Sequence, residues 1–107
     1  GKGGQRWSMA ECWFYLRSDT PVRGVQMTVQ PQPLDSWAEL QVDGIVVQRL
    51  EVARGVPHRL EWTLPRPAPA NAVVECRVRC GAFVPAKQGM GGDTRELGLY
   101  VASIRAV

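Results

Sequence analysis

Asp93, Arg95, Glu96 and Gly98 fall close together directly before the apolar run Leu99-Tyr100-Val101-Ala102-Ser103-Ile104. Two carboxylates three positions apart could share general acid and base work, but a guanidinium between them lowers carboxylate pKa values and favours ionised, paired groups. The expected role is therefore a structural corner. Asp93 would accept backbone N–H bonds, Arg95 would fork onto a carboxylate or carbonyls, and Gly98 would let a neighbouring backbone or ring approach closely. Nucleophilic catalysis is not expected, because Cys12 or Ser103 would need a base and the sole histidine, His58, sits beside Pro57 at a strand start. No metal site is expected either, since one histidine and cysteines at 12, 76 and 80 do not give the paired ligand clusters that zinc takes. The glycines of Gly89-Met90-Gly91-Gly92 are not followed by the Gly-Lys-Ser/Thr of a phosphate loop, and they lead toward a strand rather than a helix. On these residues the chain reads as a non-enzyme without a cofactor.

Aromatic side chains carry the remaining chemistry. Rings held flat on a sheet or loop can stack on the C–H faces of sugars while Arg, Gln and Asp bond the hydroxyls. Of the four tryptophans, Trp13 and Trp62 fall on a core-facing rhythm. Trp7, in a segment before the first strand, and Trp37, in the turn Asp35-Ser36-Trp37, are better placed for exposure. Each could meet a ligand or cap an end of the fold. Trp7, Trp37, Asp93 and Arg95 are the candidate ligand-binding residues.

The elements that must position these residues are strands. Apolar residues recur with a period close to two nearly everywhere, the mark of half-buried strands. Cys12, Phe14 and Leu16 alternate with Trp13 and Tyr15, so both faces of the first strand are apolar and both are expected to be covered. Val25, Met27 and Val29 form a second strand closed by Pro31 and Pro33, and Ala38, Leu40 and Val42 form a third. Asp43-Gly44 then sits between that run and Ile45-Val46-Val47, a strong signal for a two-residue type I′ hairpin. Leu60, Trp62 and Leu64 alternate up to Pro65-Arg66-Pro67-Ala68-Pro69, which reads as a stiff loop. Val74, Cys76, Val78 and Cys80 alternate with Glu75, Arg77 and Arg79, and Leu97 to Ile104 is the last strand. Seven or eight strands with turns every eight to twelve residues predict an all-β, antiparallel two-sheet β-sandwich, jelly-roll or immunoglobulin-like.

At 107 residues the chain suffices for one core, with residues 1–5 expected as a linker and residues 6–107 as a single domain. A 45% hydrophobic and 21% charged composition is an ordinary globular balance, and no stretch nears the roughly 20 apolar residues of a membrane span. The formal charge of +3 is spread along strands among acids rather than massed into a stripe, which argues against a nucleic-acid partner. Cys76 and Cys80, about 13 Å apart on one strand, cannot bridge each other, although Cys12 could reach either. Core-facing thiols suit a reducing, cytoplasmic setting.

Four segments together resemble a known group. Arg6-Trp7-Ser8 ahead of an apolar strand, Val42-Asp43-Gly44 in a hairpin, Phe83-Val84-Pro85, and Asp93-Thr94-Arg95-Glu96-Leu97-Gly98 before a closing strand look like the small β-sandwich accessory domain beside bacterial polysaccharide glycosyltransferases. The likeness runs from Trp7 to Ile104, and only the last motif is specific. It implies a non-catalytic module that binds a glycan or positions an adjacent glycosyltransferase domain in surface-polysaccharide assembly. The transferase domain that would accompany it is absent from this sequence. The competing expectation is a structural domain that mediates protein contact or oligomerisation without binding sugar.

Overall fold

The computed structural model describes residues 6–7, 11–82, 87, 89 and 98–107. Among them run eight strands: β1 (Arg6–Trp7), β2 (Glu11–Leu16), β3 (Val22–Val29), β4 (Ser36–Val42), β5 (Ile45–Val52), β6 (His58–Ala68), β7 (Val74–Cys80) and β8 (Tyr100–Ala106). They form two four-stranded sheets, ordered β1-β8-β3-β6 and β2-β7-β4-β5, and every pairing is antiparallel. The fold is an all-β two-sheet sandwich.

Its connectivity resolves the choice between topologies. β1 pairs with β8, β2 with β7, β3 with β6 and β4 with β5, so the chain is one long hairpin ribbon doubled back on itself. The ribbon rolls over until β3 also meets β8 and β4 also meets β7. That is a jelly roll. An immunoglobulin-like sandwich would place several consecutive strands side by side in one sheet, whereas here only β4 and β5 are such neighbours.

The ribbon's tip is the Asp43-Gly44 turn, which has φ values of 50° and 82° and joins the facing pair Val42 and Ile45. Positive φ at both positions is what a type I′ turn requires, and the Asp-Gly pair adopts it at low cost. The Asp43 amide also donates to the Glu75 carbonyl at 3.0 Å, tying the tip to β7.

Between the sheets lies one core. Val25, Met27 and Val29 of β3 with Leu60, Trp62 and Leu64 of β6 face Ala38 and Leu40 of β4 and Val74, Cys76, Val78 and Cys80 of β7. Leu99 closes the end beside β8. Trp62 is buried as expected, and its indole Nε1 donates to the Gln48 carbonyl of β5 at 3.0 Å, so the largest core side chain also ties the two sheets. Gln48 follows a β-bulge: Leu40 faces Gln48 while Gln41 faces Val46, leaving Val47 as the extra residue. On the outer face of the first sheet, Gln26 is bonded on both sides, donating to Glu61 at 2.8 Å and accepting from Arg105 Nε at 2.6 Å. Both ends of that amide are satisfied, which is what its burial requires.

Several expectations are corrected. Only one face of β2 is covered: Cys12, Phe14 and Leu16 pack against the core, while Trp13 is 57% and Tyr15 68% exposed. β2 is an edge strand, and its outward side chains Trp13 and Tyr15 stay largely open to solvent. Pro65-Arg66-Pro67-Ala68 is not a loop but the end of β6. β6 is also at a sheet edge, where a missing N–H need not break a ladder, and its pairing with β3 shifts register between Val22 and Gly24. Trp7 belongs to a strand, β1, with Tyr100 opposite, and Trp37 lies inside β4 rather than in a turn. The last strand begins at Tyr100 rather than Leu97. Cys12 faces Val78, so Cys76 and Cys80 are its diagonal neighbours at about 7–8 Å, beyond comfortable disulfide reach, and all three side chains are thiols. Phe83-Val84-Pro85 and Asp93, Arg95 and Glu96 lie outside the described residues.

Candidate functional site

Two surfaces gather side chains with binding chemistry. The first is a cavity of about 200 Å³ at one end of the sandwich, lined by Gln32, Leu34, Asp35, Ser36, Trp37, Gly81, Ala82 and Gly98. It unites two of the residues singled out from sequence, Trp37 and Gly98, which stand far apart in the chain. The segment 30–35 carries Pro31 and Pro33, which leave it unable to extend a ladder, so it turns across the sandwich end instead.

The lining is braced from within. Asp35 Oδ1 accepts from the Arg54 amide at 2.8 Å, and the Gln32 carbonyl accepts from the Gly55 amide at 2.9 Å, so the β3–β4 and β5–β6 connections are fastened together. The Gln32 amide donates to the Gln30 carbonyl at 2.6 Å, and Ser36 Oγ reaches the Gly81 carbonyl at 3.4 Å. Gly81 is required by close approach: a Cβ there would stand 2.6 Å from Ser36 Oγ and 3.2 Å from Trp37 Nε1. The indole N–H edge of Trp37 therefore lies against another member of the lining, and its ring is covered by the Arg49 guanidinium at 3.8 Å from the centroid. An indole N–H, a hydroxyl, a carboxylate and an amide around one small cavity could orient a hydroxylated ligand by hydrogen bonds. His58 is outside this set, since its Nε2 sits 3.1 Å from the Ala53 amide and 3.2 Å from its carbonyl, bracing its own loop.

The second surface is the outward face of β2-β7-β4-β5. Register fixes its rows: Glu11, Arg79, Glu39 and Arg49 lie side by side across the four strands, and next to them lie Trp13, Arg77, Gln41 and Val46. Arg77 stacks over Trp13 with 4.9 Å to the centroid and also pairs with the Glu11 carboxylate. That hydrogen bond, helped by the charges of Arg77 and Arg79, holds the Glu11 carboxyl below its ordinary value of 4.5. Gln41 donates to Glu39 Oε1 at 3.1 Å, and Arg49 stands 4.0 Å from Glu39 Oε2.

No family model matches this chain, and no curated protein does.

Trp13 and Tyr15 were missed as surface aromatics because both faces of β2 are apolar, which leaves the period-two pattern unable to say which face is outside. The available signal was the neighbouring strand, where Arg77 and Glu75 must point the same way as the residues opposite them, Trp13 and Tyr15. For Trp7, which was also singled out from sequence, the structure gives the strand position opposite Tyr100. Asp93, Arg95 and Glu96 are not among the described residues, so of that corner only Gly98 is located, buried in the cavity wall.

Proposed function

We propose that this domain is a non-catalytic, carbohydrate-associated module that seats one sugar residue of a glycan in the end cavity. In bacterial surface-polysaccharide assembly it would hold such a chain or position a neighbouring glycosyltransferase. The observation that carries the reading is the convergence of Trp37, Asp35, Ser36 and Gln32 on one cavity that Gly98 helps to wall. Its volume suits a single six-membered ring, given that an engineered cavity of about 150 Å³ accepts benzene. Support from the fold is by analogy alone: lectin domains are among the proteins built as jelly rolls, but a fold does not fix a function.

Affinity should be low. At about 0.3 kcal/mol per non-hydrogen atom, one hexose of about 12 such atoms gives about 4 kcal/mol, a Kd near 1 mM. The test is a titration of neutral and acidic bacterial oligosaccharides followed by tryptophan emission. Binding in the millimolar range that is lost at least tenfold in Gly81→Ala, whose new methyl group fills the space beside Ser36 and Trp37, supports the reading. A flat response to every glycan, or binding untouched by Gly81→Ala, overturns it.

A further inference from the structure

We propose that two copies of this chain join edge to edge through β2, antiparallel about a two-fold axis at Phe14, so that their β2-β7-β4-β5 sheets run on as one. None of the residues lining the end cavity belongs to β2, so the inference stands whatever the glycan titration shows. An edge strand offers a row of backbone N–H and C=O groups to any chain that can pair with it, and proteins ordinarily blunt such edges with shortness, bulges or proline. Among the described residues three of the four sheet edges are blunted in this way. β1 has two residues, β5 bulges at Val47, and β6 carries Pro65 and Pro67. β2 has none of these devices. Its pairing with β7 runs without a register shift from Glu11 to Leu16, and among the described residues β7 is its only neighbour in the sheet.

The side chains of β2 are also incompletely covered. Cys12, Phe14 and Leu16 point into the core yet are only partly buried, whereas Leu60, Trp62 and Leu64, inward on the edge strand β6, are fully buried. On the outer face Trp13 and Tyr15 are both more than half exposed. One strand added at this edge would cover both sets together.

The order of residues about Phe14 marks that strand as a second β2. Cys12-Trp13-Phe14-Tyr15-Leu16 runs apolar, aromatic, aromatic, aromatic, apolar in either direction. Antiparallel pairing centred on Phe14 sets Trp13 against the partner's Tyr15 and Cys12 against the partner's Leu16, each contact made twice as an isologous interface requires. Phe14 meets the partner's Phe14 on the axis, and all five positions lie within β2. Aromatic pairs directly opposite each other are favourable cross-strand contacts. A register slipped by one residue would turn the two cores to opposite faces of the joined sheet. Centring on Trp13 would set Glu11 against the partner's Tyr15, and centring on Tyr15 would draw in Arg17, beyond the end of the strand. The contact uses backbone groups and apolar side chains, while Glu11 keeps Arg77 within its own chain.

Six residues at about 3.4 Å make an edge about 20 Å long, and one layer about 10 Å deep then projects roughly 200 Å², well below the roughly 800 Å² per partner of a standard interface. Association is therefore expected in the high micromolar range. Sedimentation of the full chain from about 10 μM to 1 mM tests this. Reversible dimerisation that weakens at least tenfold in the double variant Trp13→Glu/Tyr15→Glu is expected, because carboxylates then face each other at both outer pairs. Both positions are exposed, and circular dichroism checks that the variant folds. Crosslinking reads the register separately. Under mild oxidation an equimolar mixture of Trp13→Cys and Tyr15→Cys, each also carrying Cys12→Ala, should form an intermolecular disulfide. Neither variant should do so alone, because like positions stand diagonally at about 7–8 Å, beyond disulfide reach. A monomer throughout the range overturns the proposal, as does a dimer unaffected by the double variant or a mixture of the two cysteine variants that stays uncrosslinked.

Discussion

Cys76 shows how one residue reports the state of the core. Its thiol sits between the sheets without measurable exposure, and burial, with the nearby charges of Asp43 and Glu75 adding to it, pushes its pKa up from 9.0 to about 11. The thiolate is the reactive form, so Cys76 should resist maleimide at pH 8 in the native protein and react once the chain is unfolded. Mass spectrometry of the labelled protein checks it, and rapid native labelling at Cys76 would contradict the described burial. The sign of the pH effect follows from the raised value. Below about 9 the thiol is neutral in both states and contributes no differential. As pH rises from 9 toward 11 the unfolded thiol ionises first, so stability falls across that window, and Cys76→Ala should flatten the alkaline limb of a denaturation series. The inward position of Cys76 was legible from its alternation with Glu75 and Arg77, but that of Trp13 was not, because no polar residue in β2 between Cys12 and Leu16 marks the wet side.

At the scale of elements, the Asp43-Gly44 turn was the feature most securely written in the sequence, and the structure makes it the tip of the whole ribbon. Gly44 has φ of 82° and nothing within 4 Å of where a Cβ would go, so Gly44→Ala carries backbone strain without a steric clash. The expected cost is about 1–2 kcal/mol, a fall in Tm of at least about 4 °C, measured by calorimetry. An unchanged Tm would mean that the turn relaxes to another type. The end of β6 departs from the sequence pattern for the opposite reason. Proline argues against a central strand, so the sequence pattern ends the element at Pro65, yet at a sheet edge the lost N–H has no ladder partner to disappoint. Strand position in a sheet is tertiary information that a local pattern does not contain. The end cavity was half legible for the same reason: Trp37 and Gly98 could be singled out by type and setting, but their meeting depends on how the ribbon rolls.

For the whole molecule, the nested ribbon sets an order of closure. The β4–β5 turn joins residues adjacent in sequence, while β1 with β8 pairs Arg6 with Val101, nearly the whole chain apart. Loop-closure entropy makes the tip the least costly contact and the ends the most costly, and sandwiches dominated by distant pairings fold in about milliseconds to seconds. Folding should therefore propagate from the Asp43-Gly44 tip toward the termini. Leu99, 1% exposed beside β8, belongs to the part that closes last. Leu99→Ala should cost about 2–5 kcal/mol, carried mainly by faster unfolding, whereas Gly44→Ala should act mainly by slowing folding. Chevron plots of the two variants separate these effects. If Leu99→Ala slows folding in proportion to its destabilisation while Gly44→Ala leaves the folding limb unchanged, then closure begins at the chain ends and the tip forms late.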